Sequence, residues 1–205
     1  MNKVHHLLIA LALATPTNAA LAQSGGPCFL RGADQQQAVA LKTNAARNSD
    51  MPMWEGFEKN QSMIDADRRY VDSNKKDGAG DLKRAAKWVA GGGAAALADW
   101  EIDISIRRYN QSWLLDPDSP IPYWGYALAT FYRDDNRAVS QCWLDKAAEK
   151  RAAKRDGGGA SNRSVSFEQA MADAHDGIAD LMQEWGVKAA AEQYREIAKE
   201  LRKPK

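Results

Sequence analysis

Apolar residues recur every three or four positions over most of the chain after residue 81, which is the spacing of one face of an α-helix. The clearest stripe covers residues 167–185, and a second one follows Gly186 over residues 187–201. Ser166, with a Gln three residues later, has the pattern of a helix N-cap. The two stripes therefore predict a C-terminal helical hairpin.

Further helices are predicted upstream, because the same spacing continues and polar or proline-containing turns separate the runs. No segment alternates apolar and polar residues over the length of a β-strand. The fold class is therefore expected to be all-α, with antiparallel helix pairs packed side by side. The expected bounds are about 35–47, where the apolar face is thin, and 57–73, 81–97, 101–115, 121–133 and 137–154.

Three consecutive glycines, Gly91-Gly92-Gly93, lie inside the helix predicted over 81–97. Each glycine inside a helix costs about 0.5–1 kcal/mol relative to alanine, so three together need a structural reason. The simplest reason is a close crossing with another helix. The run is not followed by the Lys-Ser or Lys-Thr of a phosphate-binding loop, so it does not indicate a nucleotide site.

The N-terminus has the layout of a secretory signal peptide. Lys3 precedes a short apolar run, and Pro16 and the small residues around Ala20 and Ala22 follow it. The run is too short to span a bilayer as a helix, so we expect cleavage after Ala22 and a periplasmic protein without stable membrane insertion. The predicted organisation is a signal peptide at 1–22, a leader with short helices at 23–80, a repeat region at 81–155, a Gly-rich linker at 156–163 and a helical hairpin at 164–205.

Composition narrows the chemistry that this chain offers. It has 28 Lys and Arg residues against 27 Asp and Glu residues, so its charge gives no reason to expect nucleic acid as a partner. Of the three histidines, only His175 lies outside the predicted signal peptide. It falls in a helix, where we expect it to face solvent, and its only candidate partners for acid–base chemistry are Asp173 and Asp176. We expect no metal site, no cofactor and no enzymatic activity.

The two cysteines, Cys28 and Cys142, are expected to pair in an oxidising compartment. Such a bond would close a loop of roughly 110 residues and stabilise the fold by up to about 4–5 kcal/mol in the chain-entropy model. The alternative is that Cys142 is a small buried apolar residue and that Cys28 is free.

One part of the chain resembles the tetratricopeptide repeat family. Residues 109–120 look like the end of one repeat and the start of the next, and residues 123–127 look like the first helix of that next unit. The match with exported bacterial proteins of this type extends over residues 85–148, about a third of the chain. It implies a short solenoid of stacked helix pairs, which the C-terminal hairpin would cap, with large residues packed over small ones.

The chain also departs from the pattern of that family. Residues 99–105 look about two residues longer than a standard turn, and the hairpin at 164–205 lacks the signature residues. Two repeat units and a cap are therefore expected.

A binding surface is the expected function, because repeat architectures present surface and no catalytic set is visible. On the helix over 121–133, Trp124, Leu128 and Phe131 form one apolar stripe, with Tyr132 and Arg133 at its polar edge. In similar proteins this face lines the concave side, so these five residues are the predicted contact with a protein or peptide. A scaffold is favoured; an immunity or inhibitor protein against a secreted toxin, and an enzyme of unrecognised type, are the alternatives.

Overall fold

The computed structural model of this protein describes Cys28 and residues 52–54, 59–77, 80–156 and 165–204. Within these ranges the chain forms seven α-helices and a 3₁₀ turn at Pro52–Trp54, and it forms no β-strand. The all-α fold class is therefore confirmed for the part of the chain that is described. The predicted signal peptide, the expected helix over 35–47, most of the leader and nearly all of the Gly-rich linker lie outside it.

The helices after residue 80 begin and end close to their predicted bounds. The first helix, in contrast, begins four residues later than expected. Asn60 explains this start, because its side-chain oxygen accepts a hydrogen bond from the Met63 N–H at 3.0 Å and caps the helix. In chain order the helices are α1 Gln61–Asp77, α2 Leu82–Ala98, α3 Ile102–Leu115, α4 Ile121–Asp134, α5 Arg137–Asp156, α6 Phe167–Glu184 and α7 Lys188–Leu201.

The C-terminal hairpin is bounded by the residues that its sequence predicts. The Gln169 N–H donates to Ser166 Oγ at 3.1 Å, so Ser166 is the N-cap of α6. Gly186 has a φ of 76°, a left-handed conformation that favours glycine, and it separates α6 from α7.

Neighbouring helices pack in pairs: α2 with α3, α4 with α5, and α6 with α7. Contacts between α3 and α4 join the first two pairs, and α6 contacts α2, α4 and α5 as well as its own partner α7. The C-terminal pair therefore shares one core with the preceding helices. Among the described helices, none combines the length and the apolar character needed to cross a bilayer.

A cluster of aromatic rings fills the core where the first two pairs meet. Tyr109, Tyr126 and Trp143 are fully buried, and the ring centroids of Tyr126 and Trp143 are 5.0 Å apart. The Tyr126 hydroxyl donates to Asn110 Oδ1 at 2.9 Å, which satisfies its buried polar group. Gly125 makes room for this packing, because a Cβ there would lie 2.3 Å from the Tyr109 ring.

The N-terminal region is attached to the helices at two described points. Cys28 forms a disulfide with Cys142 of α5, with a Cα–Cα distance of 5.5 Å, and Cys28 is completely buried. The Met53 N–H donates to Asn110 Oδ1 at 2.7 Å, so the 3₁₀ turn lies against α3. The predicted pairing of the two cysteines is thus present in the structure, which contains no free cysteine among its described residues.

Candidate binding cleft

A cleft of about 590 Å³ lies between the end of α2 and α7. Its α2 side consists of Leu97 and Ala98, followed by Trp100 in the turn to α3. Its α7 side is one helical face, because the lining residues are spaced three or four apart. This face carries Ala189, Glu192, Gln193, Glu196 and Ile197.

Trp100 has an unusual backbone conformation for its residue type. Its φ is 63°, in the left-handed region, and helices that end with a residue in this region usually have glycine there. The Glu101 N–H donates to the Ala96 carbonyl at 2.9 Å, which is the hydrogen bond that closes such a helix end. A bulky side chain in this region costs roughly 1–2 kcal/mol, so the turn would be more stable with glycine.

The ring of Trp100 lies at the edge of the cleft. It is 57% exposed, and its centroid is 5.4 Å from that of Tyr132, with the two planes tilted by 48°. A strained, exposed aromatic residue next to a cleft is the type of outlier that indicates a functional role.

A hydrogen bond to His175 of α6 holds the Tyr132 ring in position. The Tyr132 hydroxyl is 2.7 Å from His175 Nε2, and His175 Nδ1 is 2.7 Å from the Met171 carbonyl. A carbonyl only accepts, so Nδ1 carries the proton, and Nε2 accepts from the tyrosine. Burial lowers the pKa of His175 to about 4, so the ring is neutral at pH 7, and burial raises the pKa of Tyr132. The Tyr194 ring, whose centroid is 5.5 Å from that of His175, covers the imidazole from α7.

The expectation that His175 faces solvent is wrong, since its side chain is only 1% exposed. The physical reason is that α6 packs against α4 and α7 at once, so its histidine lies between Tyr132 and Tyr194. Both ring nitrogens are occupied by partners other than a carboxylate. Asp173 and Asp176 instead pair with Arg202, so the only His–carboxylate pair that the sequence offered is not formed.

The predicted Trp124 stripe is covered by the chain itself. Leu128 is fully buried in the core, and Phe131 packs against Phe167 of α6 with 5.7 Å between ring centroids. Trp124 is half-buried over Gly177, where a Cβ would lie 2.4 Å from its ring. The expected continuous, partly exposed stripe is therefore wrong at Leu128, because this side chain is buried and α6 lies against Trp124 and Phe131. That Trp124 and Phe131 contact a partner stays a prediction.

Tyr132 and Arg133, the predicted polar edge of the site, contact different parts of the structure. Tyr132 lines the cleft described above. Arg133 forms ion pairs with Asp134 at 2.9 Å and with Asp103 at 3.7 Å. Only Tyr132 of the five predicted contact residues therefore lies in the cleft.

Sequence analysis did not identify Trp100 or the α7 face. The available signal for Trp100 was the turn over 99–105, which is longer than the repeat pattern requires and contains a tryptophan outside any apolar stripe. The α7 face gave no such signal, because its lining residues combine the polar side of an ordinary amphipathic helix with the edge of its apolar stripe at Ile197. Within the described ranges, no group of three His, Cys, Asp or Glu residues is arranged to hold a metal ion.

Comparison of the chain with models of protein families, with curated proteins and with solved structures found no match.

Proposed function

We propose that this chain is an exported, periplasmic helical-repeat protein of the tetratricopeptide type, and that it binds a peptide or protein partner in the cleft between α2 and α7. The paired helices support the repeat architecture. The fit of the Tyr109 ring over Gly125 supports it too, since large residues over small ones are the packing logic of such repeats. The Cys28–Cys142 disulfide is compatible with an oxidising compartment.

Trp100 is the observation that carries the binding proposal. Its left-handed backbone costs free energy that a glycine at the same position would not cost, and its ring is left largely exposed beside the cleft. Exposed tryptophan is also a residue type that dominates the binding free energy of protein interfaces. A partner that covers the ring would gain the free energy of burying its apolar surface, which the free protein leaves exposed.

A peptide-display selection tests this proposal directly. The full chain, purified with its disulfide intact, is immobilised and presented with a random peptide library, in parallel with Trp100→Gly. Glycine relieves the backbone strain while it removes the ring, so we expect near wild-type helix content and thermal stability together with loss of the enriched peptides. Trp88→Ala, at another exposed tryptophan with no part in lining the cleft, is the matched control and should keep them.

Two results would contradict the proposal. One is that wild-type protein enriches no peptide beyond an unrelated helical protein. The other is that Trp100→Gly enriches the same peptides as wild type.

A further inference from the structure

The charges that line the cleft are of one sign. Glu192 and Glu196 contribute two carboxylates from α7, and no Lys, Arg or His is among the described residues that line it. Glu192 makes no hydrogen bond or ion pair with any residue that the structure describes. Glu196 pairs with Lys199 on the same helix, in an exposed pair of the kind that contributes little stability. A cation that enters the cleft can therefore pair with the carboxylate of Glu192, and it can share the carboxylate of Glu196 with Lys199.

The aromatic rings on the opposite side favour the same kind of ligand. Trp100 and Tyr132 are tilted toward one another with their centroids 5.4 Å apart, and tryptophan is the side chain that attracts cations most strongly through its ring face. The hydroxyl of Tyr132 is engaged with His175. This hydrogen bond fixes the ring at the floor of the cleft, so the cleft is partly organised before any ligand binds.

The rest of the lining is apolar and suits a hydrocarbon chain. Leu97, Ala98 and Ile197 provide surface for the methylene groups of a long side chain, while the carboxylates lie at the α7 edge. Lys and Arg combine an apolar stem with a charged end, and they bury the stem while the charge contacts polar groups. An acidic side chain would be repelled by Glu192 and Glu196, and a purely apolar one would leave Glu192 without a counter-charge.

We propose that the cleft binds the side chain of a lysine or arginine in a peptide segment of the partner, with its stem on Leu97 and Ile197 and its cation between the Trp100 ring and Glu192. This assignment rests on the proposed function and adds the chemistry of the partner. The cleft volume exceeds that of one side chain, so neighbouring residues of the segment are accommodated as well.

Blocked pentapeptides with one variable central residue test the assignment. Peptides with central Lys, Arg, norleucine or Glu are titrated into the full chain, and binding is followed by tryptophan fluorescence and by NMR shifts of the indole N–H groups. The Lys and Arg peptides should bind about tenfold more tightly than the norleucine peptide, which has a similar stem without the charge. The Glu peptide should bind most weakly, and added salt should reduce the difference.

Two variants on α7 distinguish the effect of a carboxylate in the cleft from the effect of the general surface charge. Glu192→Gln should abolish most of the preference for Lys over norleucine while leaving the norleucine affinity unchanged. Glu200→Gln is the matched control, because Glu200 is exposed on the same helix, pairs with Lys203 and does not line the cleft; it should leave the preference intact.

Equal binding of the Lys and norleucine peptides, an unchanged preference in Glu192→Gln, or no binding of any peptide at millimolar concentration would overturn the assignment. The proposed function fails separately. If the display selection yields neutral or acidic peptides that Trp100→Gly loses, the cleft is still a binding site, and only the cationic ligand is wrong.

Discussion

His175 has surroundings that come from three different helices, α4, α6 and α7. Its imidazole accepts from the Tyr132 hydroxyl, donates to the Met171 carbonyl and lies against the Tyr194 ring. Burial lowers the pKa of this ring, and the hydrogen bond to Met171 and the charge of Asp176 oppose that effect only in part. The neutral ring is therefore a structural support for Tyr132. Protonation would reverse this hydrogen bond, because Nε2 would then donate to the Tyr132 oxygen and the tyrosine proton would need another acceptor.

A pH dependence of stability follows from this burial. The folded pKa of His175 is about 4, whereas an unfolded histidine titrates near its ordinary value of about 6.5. Between these values the unfolded state binds a proton that the folded state does not bind. The free energy of unfolding should therefore fall as the pH drops from about 6.5 to 4, by roughly 3 kcal/mol at most. Above pH 6.5 this group should have no effect.

Urea unfolding at a series of pH values checks this expectation, with His175→Gln as the comparison. The variant lacks the titrating ring, so its unfolding free energy should change less over the same window. Carboxylates titrate in both proteins at the acid end, and the difference between the two curves isolates His175. Parallel curves would show that the buried imidazole does not determine the acid sensitivity.

The bounds of individual helices could be predicted from the sequence far better than the packing of one helix against another. The apolar periodicity and the turn residues fixed α2 to α7 within a few residues, because both signals are local. The same spacing places Trp124, Leu128 and Phe131 on one face of α4. Its exposure could not be predicted, because that depends on where α6 lies. Residues far apart in sequence decide this, such as Gly177, which leaves space for the Trp124 ring.

Adjacent glycines of the run in α2 have different surroundings, so one of them serves as the control for the other. A Cβ at Gly91 would lie 2.1 Å from the Trp185 ring, which crosses the helix there, whereas a Cβ at Gly92 would meet nothing within 4 Å. Gly92→Ala should therefore raise the free energy of unfolding by about 0.5–1 kcal/mol through helix propensity alone. Gly91→Ala should lower it by about 1–3 kcal/mol, since the Trp185 ring must move.

Thermal unfolding of the two variants, followed by circular dichroism, measures whether their stabilities change in opposite directions. The expected crossing of another helix is confirmed by the tight contacts at Gly91 and at Gly93, where a Cβ would lie 3.2 Å from Arg108 and Tyr109. If both alanine variants changed the melting temperature in the same direction and by the same amount, Trp185 would not be packed on Gly91 as described.

At the scale of the whole molecule, one core joins elements that the sequence presents as separate regions. The sequence predicts a Gly-rich linker at 156–163 followed by a hairpin that caps the preceding helices, and Met171, Ile178 and Leu181 of α6 belong to the same buried cluster as Tyr109 and Trp143. The cleft exists only because of this arrangement, since its walls come from α2 and α7. A site formed between such distant segments leaves no contiguous motif, which is why sequence reasoning located only Tyr132.

The disulfide extends this connection to the N-terminal region, and its removal should affect stability without changing the helical fold. Cys28 and Cys142 are 114 residues apart, and a cross-link over a loop of this length stabilises a protein by up to about 4–5 kcal/mol by restricting the unfolded chain. Cys28→Ser with Cys142→Ser should therefore lower the free energy of unfolding by a few kcal/mol, while the far-ultraviolet spectrum stays helical.

Because Cys28 is fully buried, reductant should cleave the native bond slowly and more quickly once urea unfolds the chain. Thiol labelling of denatured, unreduced protein from an oxidising compartment should find no free cysteine; two labelled cysteines would show that the bond is absent, and a reducible dimer would show that it joins two chains.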